Sequence, residues 1–324
     1  MNSMRKNIWI LGGTGFIGSA LVQHLSENPL NALHLLVHKN IPYRQLEPFN
    51  IFTGSLESFD PSWWEKYPPD VIFHLARLGG SNTITRFVAS HRGAIANGRL
   101  IHNVSSMKQQ PIVVYVSGSL MYGSQENGDL VDEQSPISPV SYAKYYIHGE
   151  KPWLEAQAKY LCDIRFARPG WILGESSWFK AFYWDFYRKT GKVPLFGDGK
   201  QLMSIIHVTD CAGQIANLAE NGAPYQNLNI FSGLPITQGA FAETMSSLLH
   251  AKTKQILVKE LYTIYGSIVC KALTSSIPLK TRFIELSENY KLKYPDLESM
   301  LKVTLSVLEH KESILSKSPE KCMV

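Results

Sequence analysis

Short apolar runs alternate with helix-length amphipathic segments along the first half of the chain. The apolar runs fall at residues 7–11, 33–37, 50–53, 71–75, 112–117 and 162–168, short enough to be strands rather than buried helices. Strands buried on both faces read as continuous apolar stretches, and their crossover connections read as amphipathic helices. The alternation therefore predicts an α/β fold built on a doubly wound parallel sheet. After Pro169 the pattern loosens. An aromatic segment covers residues 178–187, a turn-rich loop residues 197–199, and strand–helix units residues 204–220 and 228–250. The tail from Lys254 is mainly helical in pattern, with a proline-containing break at residues 277–278. We expect a sheet domain from residues 1–170 plus about 204–232, and a smaller, mostly helical C-terminal lobe from about 171–203 and 233–324.

The first apolar run turns directly into Gly12, Gly15 and Gly18, and a helix-compatible segment from Phe16 to Leu25 follows. A strand, a tight glycine turn and a helix N-terminus in that order make an anion site, because unpaired N–H groups and the helix dipole converge there. The spacing GxxGxxG suits the pyrophosphate of a dinucleotide; glycines that only tighten a turn are the structural alternative.

Composition narrows the picture further. The chain has 324 residues, 44% of them hydrophobic, with a net charge of +5. It holds no basic run or RNA-type aromatic motif, so nucleic acid is not an expected partner. Cys162, Cys211, Cys270 and Cys322 are far apart, which argues against a disulfide framework or a thiolate metal site. No long uncharged apolar segment marks a membrane span, and the N-terminal apolar run breaks at Gly12. The expectation is a cytoplasmic protein with a small-molecule substrate and no membrane or metal partner.

Seven motifs then occur in order: GGTGFIG at residues 12–18, PDVIFHLA at 69–76, VVYVSGSLMYG at 113–123, SYAKYYIHGE at 141–150, RPGWILG at 168–174, GDGKQ at 197–201 and IHVTD at 206–210. Together they resemble the extended short-chain dehydrogenase/reductase family, which includes the NAD-dependent epimerases and dehydratases. The resemblance covers roughly residues 7–250. It implies a Rossmann-type sheet, a bound NAD or NADP, a substrate pocket between two lobes, and a homodimer formed through two helices per subunit, one carrying Tyr142. It places Gly12, Thr14, Gly15, Phe16, Ile17 and Gly18 at the pyrophosphate. Ser55 and Leu56 fall on the adenine side, and Leu75, Ala76, Tyr142 and Pro169 toward the ribose and nicotinamide. His74 is expected to be structural.

The second strand runs into His38 and Lys39, and no acid occurs until Glu47. An acid in that region usually accepts from the ribose 2′-hydroxyl of NAD. Its absence, with Lys39 and His38 available to a 2′-phosphate, favours NADP over NAD; a solvated turn lysine is the plain alternative.

Three positions depart from the family. Tyr142 aligns with the catalytic tyrosine, but the lysine expected four residues on, one turn along the same helix face, is Tyr146. Lys144 lies about 200° round the helix. Counting back four residues from Tyr122 reaches Gly118 in place of the substrate-orienting hydroxyl; Ser117 and Ser119 flank it, and a one-residue shift would restore it. Nucleotide-sugar members carry an arginine where this chain has Met203, with Lys200, Lys180 and Arg188 the other candidate charges. The aromatic segment reads as lobe packing or a dimer face, or as a pocket wall. Asp210 or Thr209 is expected to cap the following helix. Two functions remain open: an NAD(P)-dependent oxidoreductase or epimerase-type enzyme using Tyr142 with Ser117 or Ser119, and a catalytically silent cofactor-binding sensor or partner protein.

Overall fold

The structure is a computed structural model that describes residues 5–38 and 49–316. In chain order the elements are β1 (Lys6–Leu11), α1 (Phe16–Ser26), β2 (Asn31–Val37), β3 (Asn50–Thr53), α2 (Ser62–Lys66), β4 (Val71–His74), α3 (Thr83–Ser105), β5 (Ile112–Val116), α4 (Ala143–Ala158), β6 (Ile164–Pro169) and β7 (Trp171–Leu173). There follow α5 (Asp185–Thr190), β8 (Lys192–Phe196), β9 (Leu202–His207), α6 (Val208–Asn221), β10 (Leu228–Ile230), β11 (Ser232–Thr237), α7 (Gln238–Leu248), β12 (Lys252–Ile256), α8 (Val258–Leu273), α9 (Ile284–Glu288) and α10 (Leu297–Ser316).

Seven strands form one sheet in the order β10-β6-β5-β4-β1-β2-β3. Every neighbouring pair in it is parallel. The strand period of two sends alternate side chains to opposite faces. Ile8 and Ile10 of β1 join one core with Leu21 of α1 and Ile215 of α6. Trp9 and Leu11 join the other, with Leu100 of α3 and Trp153 of α4. Both faces are thus covered, as the sequence pattern predicts. Helix α3 is started by Asn82, whose side chain accepts from the Thr85 amide while Thr85 bonds back to Asn82, a reciprocal cap.

The later residues build a separate core around Phe179, Tyr183, Trp184, Phe241 and Leu305. Most of the aromatic segment is therefore packing. This part contains more strand than its sequence pattern suggests. Residues 228–250 hold two strands: β10 ends the large sheet, and β11 turns back to pair antiparallel with β9. The tail holds β12, which pairs parallel with β8. Four of the five residues of β12 are exposed, so it has no apolar alternation to read, and its strand character comes from backbone pairing alone. No helix among the described residues is long and apolar enough to cross a membrane.

Asp210 does not cap α6. The His207 ring accepts from the Thr209 amide in that role. Asp210 is fully buried and accepts from the Lys293 amide at 2.7 Å, the Tyr294 amide at 2.9 Å and the Tyr290 hydroxyl at 3.2 Å, tying the C-terminal segment to α6. Asp210→Ala leaves these donors unpaired. It should lower the denaturant midpoint by the equivalent of about 2–4 kcal/mol with little change in m value.

His34 and His74 are both 1% exposed within the sheet domain. His74 Nε2 meets Asn97 Oδ1 at 2.8 Å, and Asn97 in turn donates to the Gly149 carbonyl, joining β4 to α3 and α4. Burial holds the His74 pKa down at about 4. The folded protein therefore resists a proton that the unfolded chain takes up below about 6.5, so this contribution is complete above 6.5 and lost as pH falls toward 4. His74→Gln should flatten the fall in urea stability between pH 6.5 and 4 by up to about 1.4 kcal/mol per pH unit. An unchanged slope would show that His74 is not kept neutral by the fold.

Candidate active site

The turn between β1 and α1 is built on glycine. Gly12 has φ +95°, and a Cβ there would lie 2.9 Å from the Ala76 nitrogen. A Cβ on Gly18 would overlap the Gly12 carbonyl oxygen, and the Gly15 amide donates to that same oxygen at 3.1 Å. These constraints bring the start of α1 against the end of β4. Helix α1 has no side-chain cap, so its first N–H groups are left for a ligand. A bare helix start and a turn that only glycines can close suit the pyrophosphate of a dinucleotide.

A cavity of about 400 Å³ opens beside this turn. Phe16, Ile17 and Leu75 line it together with Ser117, Gly118, Ser119, Tyr142 and Tyr146, and with Pro169, Trp171 and Trp178. Seven of the residues expected at the site thus share one space: Phe16, Ile17, Leu75, Ser117, Ser119, Tyr142 and Pro169. Gly12, Thr14, Gly15 and Gly18 form the turn behind it. Leu56 and Ala76 border a smaller adjoining hollow with Arg77 and Asn97. Ser55 exchanges hydrogen bonds with Ser58. His38 is exposed just past β2, and Lys39 lies outside the described residues.

The two serines are not equivalent. Ser117 Oγ donates to Glu150 Oε2 at 2.6 Å. Glu150 is 1% exposed and its other oxygen has no partner; burial pushes its carboxyl pKa up, against Ser117, Arg168 and Arg77, which favour the carboxylate. Ser119 opens a 3-10 turn over Ser119–Met121 and is buried, with no hydrogen bond from its hydroxyl among the described residues. It is the free hydroxyl of the pair. Gly118 between them is extended, with φ 178° and ψ 161°. A Cβ there meets only the Pro169 carbonyl, at 4.0 Å, so a side chain is missing where there is room for one.

Tyr142 sits at the N-cap of α4. Burial raises its phenol pKa; Arg77 pulls it down and Tyr146 pushes it further up. The Tyr146 ring stands edge-on to Tyr142, 5.7 Å between centres. Lys144 is exposed and takes no part in the cavity wall. Arg77 does. It follows the buried strand β4, and a charge placed directly after such a strand was the sequence signal available for it. Trp171 and Trp178 stand edge to face on the wall, 5.0 Å between centres; Trp178 is the part of the aromatic segment that takes the pocket-wall place, and Trp171 had no sequence-based role.

The candidate phosphate-binding cations are engaged elsewhere. Met203 is buried in the second core. Lys200 pairs with Asp198 at 3.5 Å, Lys180 with Asp185 at 2.8 Å, and Arg188 with Glu312 at 3.0 Å. Tyr122 is structural: its hydroxyl donates to Asn229 at 2.7 Å and accepts from Arg168 at 3.1 Å.

No curated protein sequence matches the chain. Among solved structures, it resembles dTDP-glucose 4,6-dehydratase from Bacillus anthracis str. Ames in complex with NAD, at a TM-score of 0.75, 18% identity, and coverage of 95% of this chain and 98% of that one. It also resembles the human epimerase family protein SDR39U1 (isoform 2) with NADPH, at 0.74 and 20% identity, covering 93% and 99%. A third is UDP-glucuronic acid 4-epimerase from Bacillus cereus in complex with UDP-glucuronic acid and NAD, at 0.75 and 17%, covering 94% and 99%. These likenesses are to the fold. The model of the NAD dependent epimerase/dehydratase family matches residues 8–230, most of the chain, and the protein belongs to that family.

Proposed function

We propose that the chain is an NAD(P)-dependent oxidoreductase or epimerase-type enzyme that acts on a small carbonyl, alcohol or sugar-like substrate. The observation that carries this reading is the continuity of one cavity from the start of α1 to the Tyr142 phenol and the Ser119 hydroxyl. NADP is the preferred cofactor. In support, β2 ends at Val37 and the next residues are His38 and Lys39 instead of an acid, and SDR39U1 was solved with NADPH. The turn of Gly12, Gly15 and Gly18 holds the pyrophosphate, and Leu75 and Pro169 border the nicotinamide end. The bound dinucleotide supplies hydride chemistry.

The chain's own residues orient the substrate and handle its proton. Ser119 donates to the substrate oxygen. Tyr142, with its pKa raised by burial, is protonated at neutral pH and gives a proton to a carbonyl oxygen as it is reduced. Trp171, Trp178 and Met121 make the substrate end apolar and limit water there. A nucleotide diphosphate fits less well, because Lys200, Lys180 and Arg188 are tied into surface ion pairs. The catalytically silent alternative draws on Tyr146 and Gly118, which stand where the family has a lysine and a hydroxyl.

Consumption of NADPH with a panel of small aldehydes and ketones tests this. Tyr142→Phe should lower turnover about 10²-fold or more while leaving NADPH affinity intact. Unchanged turnover removes Tyr142 from the mechanism, and no turnover by the parent protein on any carbonyl favours the silent alternative.

A homodimer is the expected assembly. Ile84 (75% exposed), Phe87 (51%), Val88 (48%) and Ile95 (60%) form one exposed apolar face of α3, and contiguous exposed apolar surface marks an interaction site. The exposed rings of His91 and His148 extend it onto α4, 4.8 Å apart. Val88→Glu with Ile95→Glu should shift the protein from dimer to monomer in sedimentation velocity without altering its circular dichroism. A parent protein that sediments as a monomer contradicts the assembly.

A further inference from the structure

With Tyr146 one turn beyond Tyr142 and Lys144 exposed outside the cavity, the charge of the site must come from another element. Arg77 is the only cation among the described residues that line the cavity. Its Nη2 donates to the Val116 and Ser117 carbonyls, both at 3.0 Å, at the end of β5. Its guanidinium carbon lies 5.1 Å from the centre of the Tyr146 ring. Two carbonyls and an aromatic face fix the planar head in one place. These contacts occupy one nitrogen. Nε and Nη1 have no hydrogen-bond partner among the described residues, and no carboxylate pairs with the charge. The side chain is exposed, so a ligand can reach it. Glu150, the one carboxyl among the described residues that line the wall, takes its hydrogen bond from Ser117 and feels the Arg77 charge only beyond ion-pair distance.

An unpaired guanidinium, held in place with donors to spare beside two tyrosines, is a ligand-binding arrangement. The protein engages only one of its three nitrogens, and the other two face the solvent-open side, where a ligand oxygen can take the place of water. We propose that Arg77 is the cationic group of this site: its free N–H groups hold the hydroxyl-bearing nicotinamide half of the dinucleotide and favour negative charge on the Tyr142 oxygen. The charge that a lysine at position 146 would deliver from α4 is delivered here from the end of β4, across the Tyr146 ring. The direction of its influence agrees, since Arg77 is the group that opposes burial at the Tyr142 phenol. This assignment rests on the dinucleotide reading above.

The test compares the whole dinucleotide with its adenine half. NADPH and NADH are titrated by energy transfer from tryptophan, and 2′,5′-ADP and ADP by competition. Arg77→Met should weaken the preferred dinucleotide about tenfold, the effect of losing one or two charge-assisted hydrogen bonds. It should leave the adenine half unchanged. Adding Tyr146→Lys to Arg77→Met should restore most of the lost affinity, which a merely structural role for Arg77 does not predict. Should Arg77→Met fail to fold, Arg77→Gln makes the same comparison. Equal or tighter dinucleotide binding by the Arg77 variant overturns the assignment and leaves the dinucleotide reading standing; tighter binding would mark Arg77 as an obstruction. No binding of any of the four ligands by the parent protein overturns both.

Discussion

The close approach of Gly12 to the end of β4 is the constraint on which the site depends. A Cβ at Gly12 would meet the Ala76 nitrogen at 2.9 Å, and one at Gly18 would overlap the Gly12 carbonyl. Side chains at those points would push α1 off the sheet and separate the helix start from the strand ends. With glycine there, the sheet order sets the rest. β1, β4 and β5 are neighbours and parallel, so their carboxyl ends open on one crevice, where ligands of such sheets bind. The 3-10 turn after β5 and the start of α4 then bring Ser119 and Tyr142 to its rim.

The chemistry of that crevice is set by how few charges it contains. Its walls are aromatic and aliphatic, with Arg77 and Glu150 the ionisable side chains besides tyrosines. Burial and the bond from Ser117 keep Glu150 inside the wall, so it works as an anchor between β5 and α4. Arg77 is the exposed charge. The lysines and the arginine that a diphosphate would need are spent on surface pairs, each worth little to stability on its own. Among the described residues, the wall thus offers one cation, the unpaired Ser119 hydroxyl and a tyrosine whose pKa burial raises.

The parallel sheet was legible because its strands are buried on both faces, and unbroken apolar runs such as 112–117 mark this. The glycine turn was legible because no other residue closes it. Elements held by backbone pairing were not: β12 presents Lys, Thr, Lys and Gln to solvent and has no periodicity to detect. Nor were roles that depend on which partner a side chain finds. Ser117 and Ser119 are chemically alike and two residues apart, and only the Glu150 bond separates them. Asp210 has the position of a helix cap, yet it is consumed by amides more than eighty residues away. Arg77 belongs to no helix motif: its guanidinium reaches the Tyr146 ring from the loop that follows β4.

Hydrogen–deuterium exchange with and without NADPH tests most directly whether one ligand spans the crevice. The account predicts joint protection of three segments: the turn at residues 12–18, the strand end and 3-10 turn at 116–122, and the start of α4 around Tyr142. Protection confined to the glycine turn would mean that only the adenine half is held, and no protection at 116–122 and Tyr142 would contradict a nicotinamide site between them.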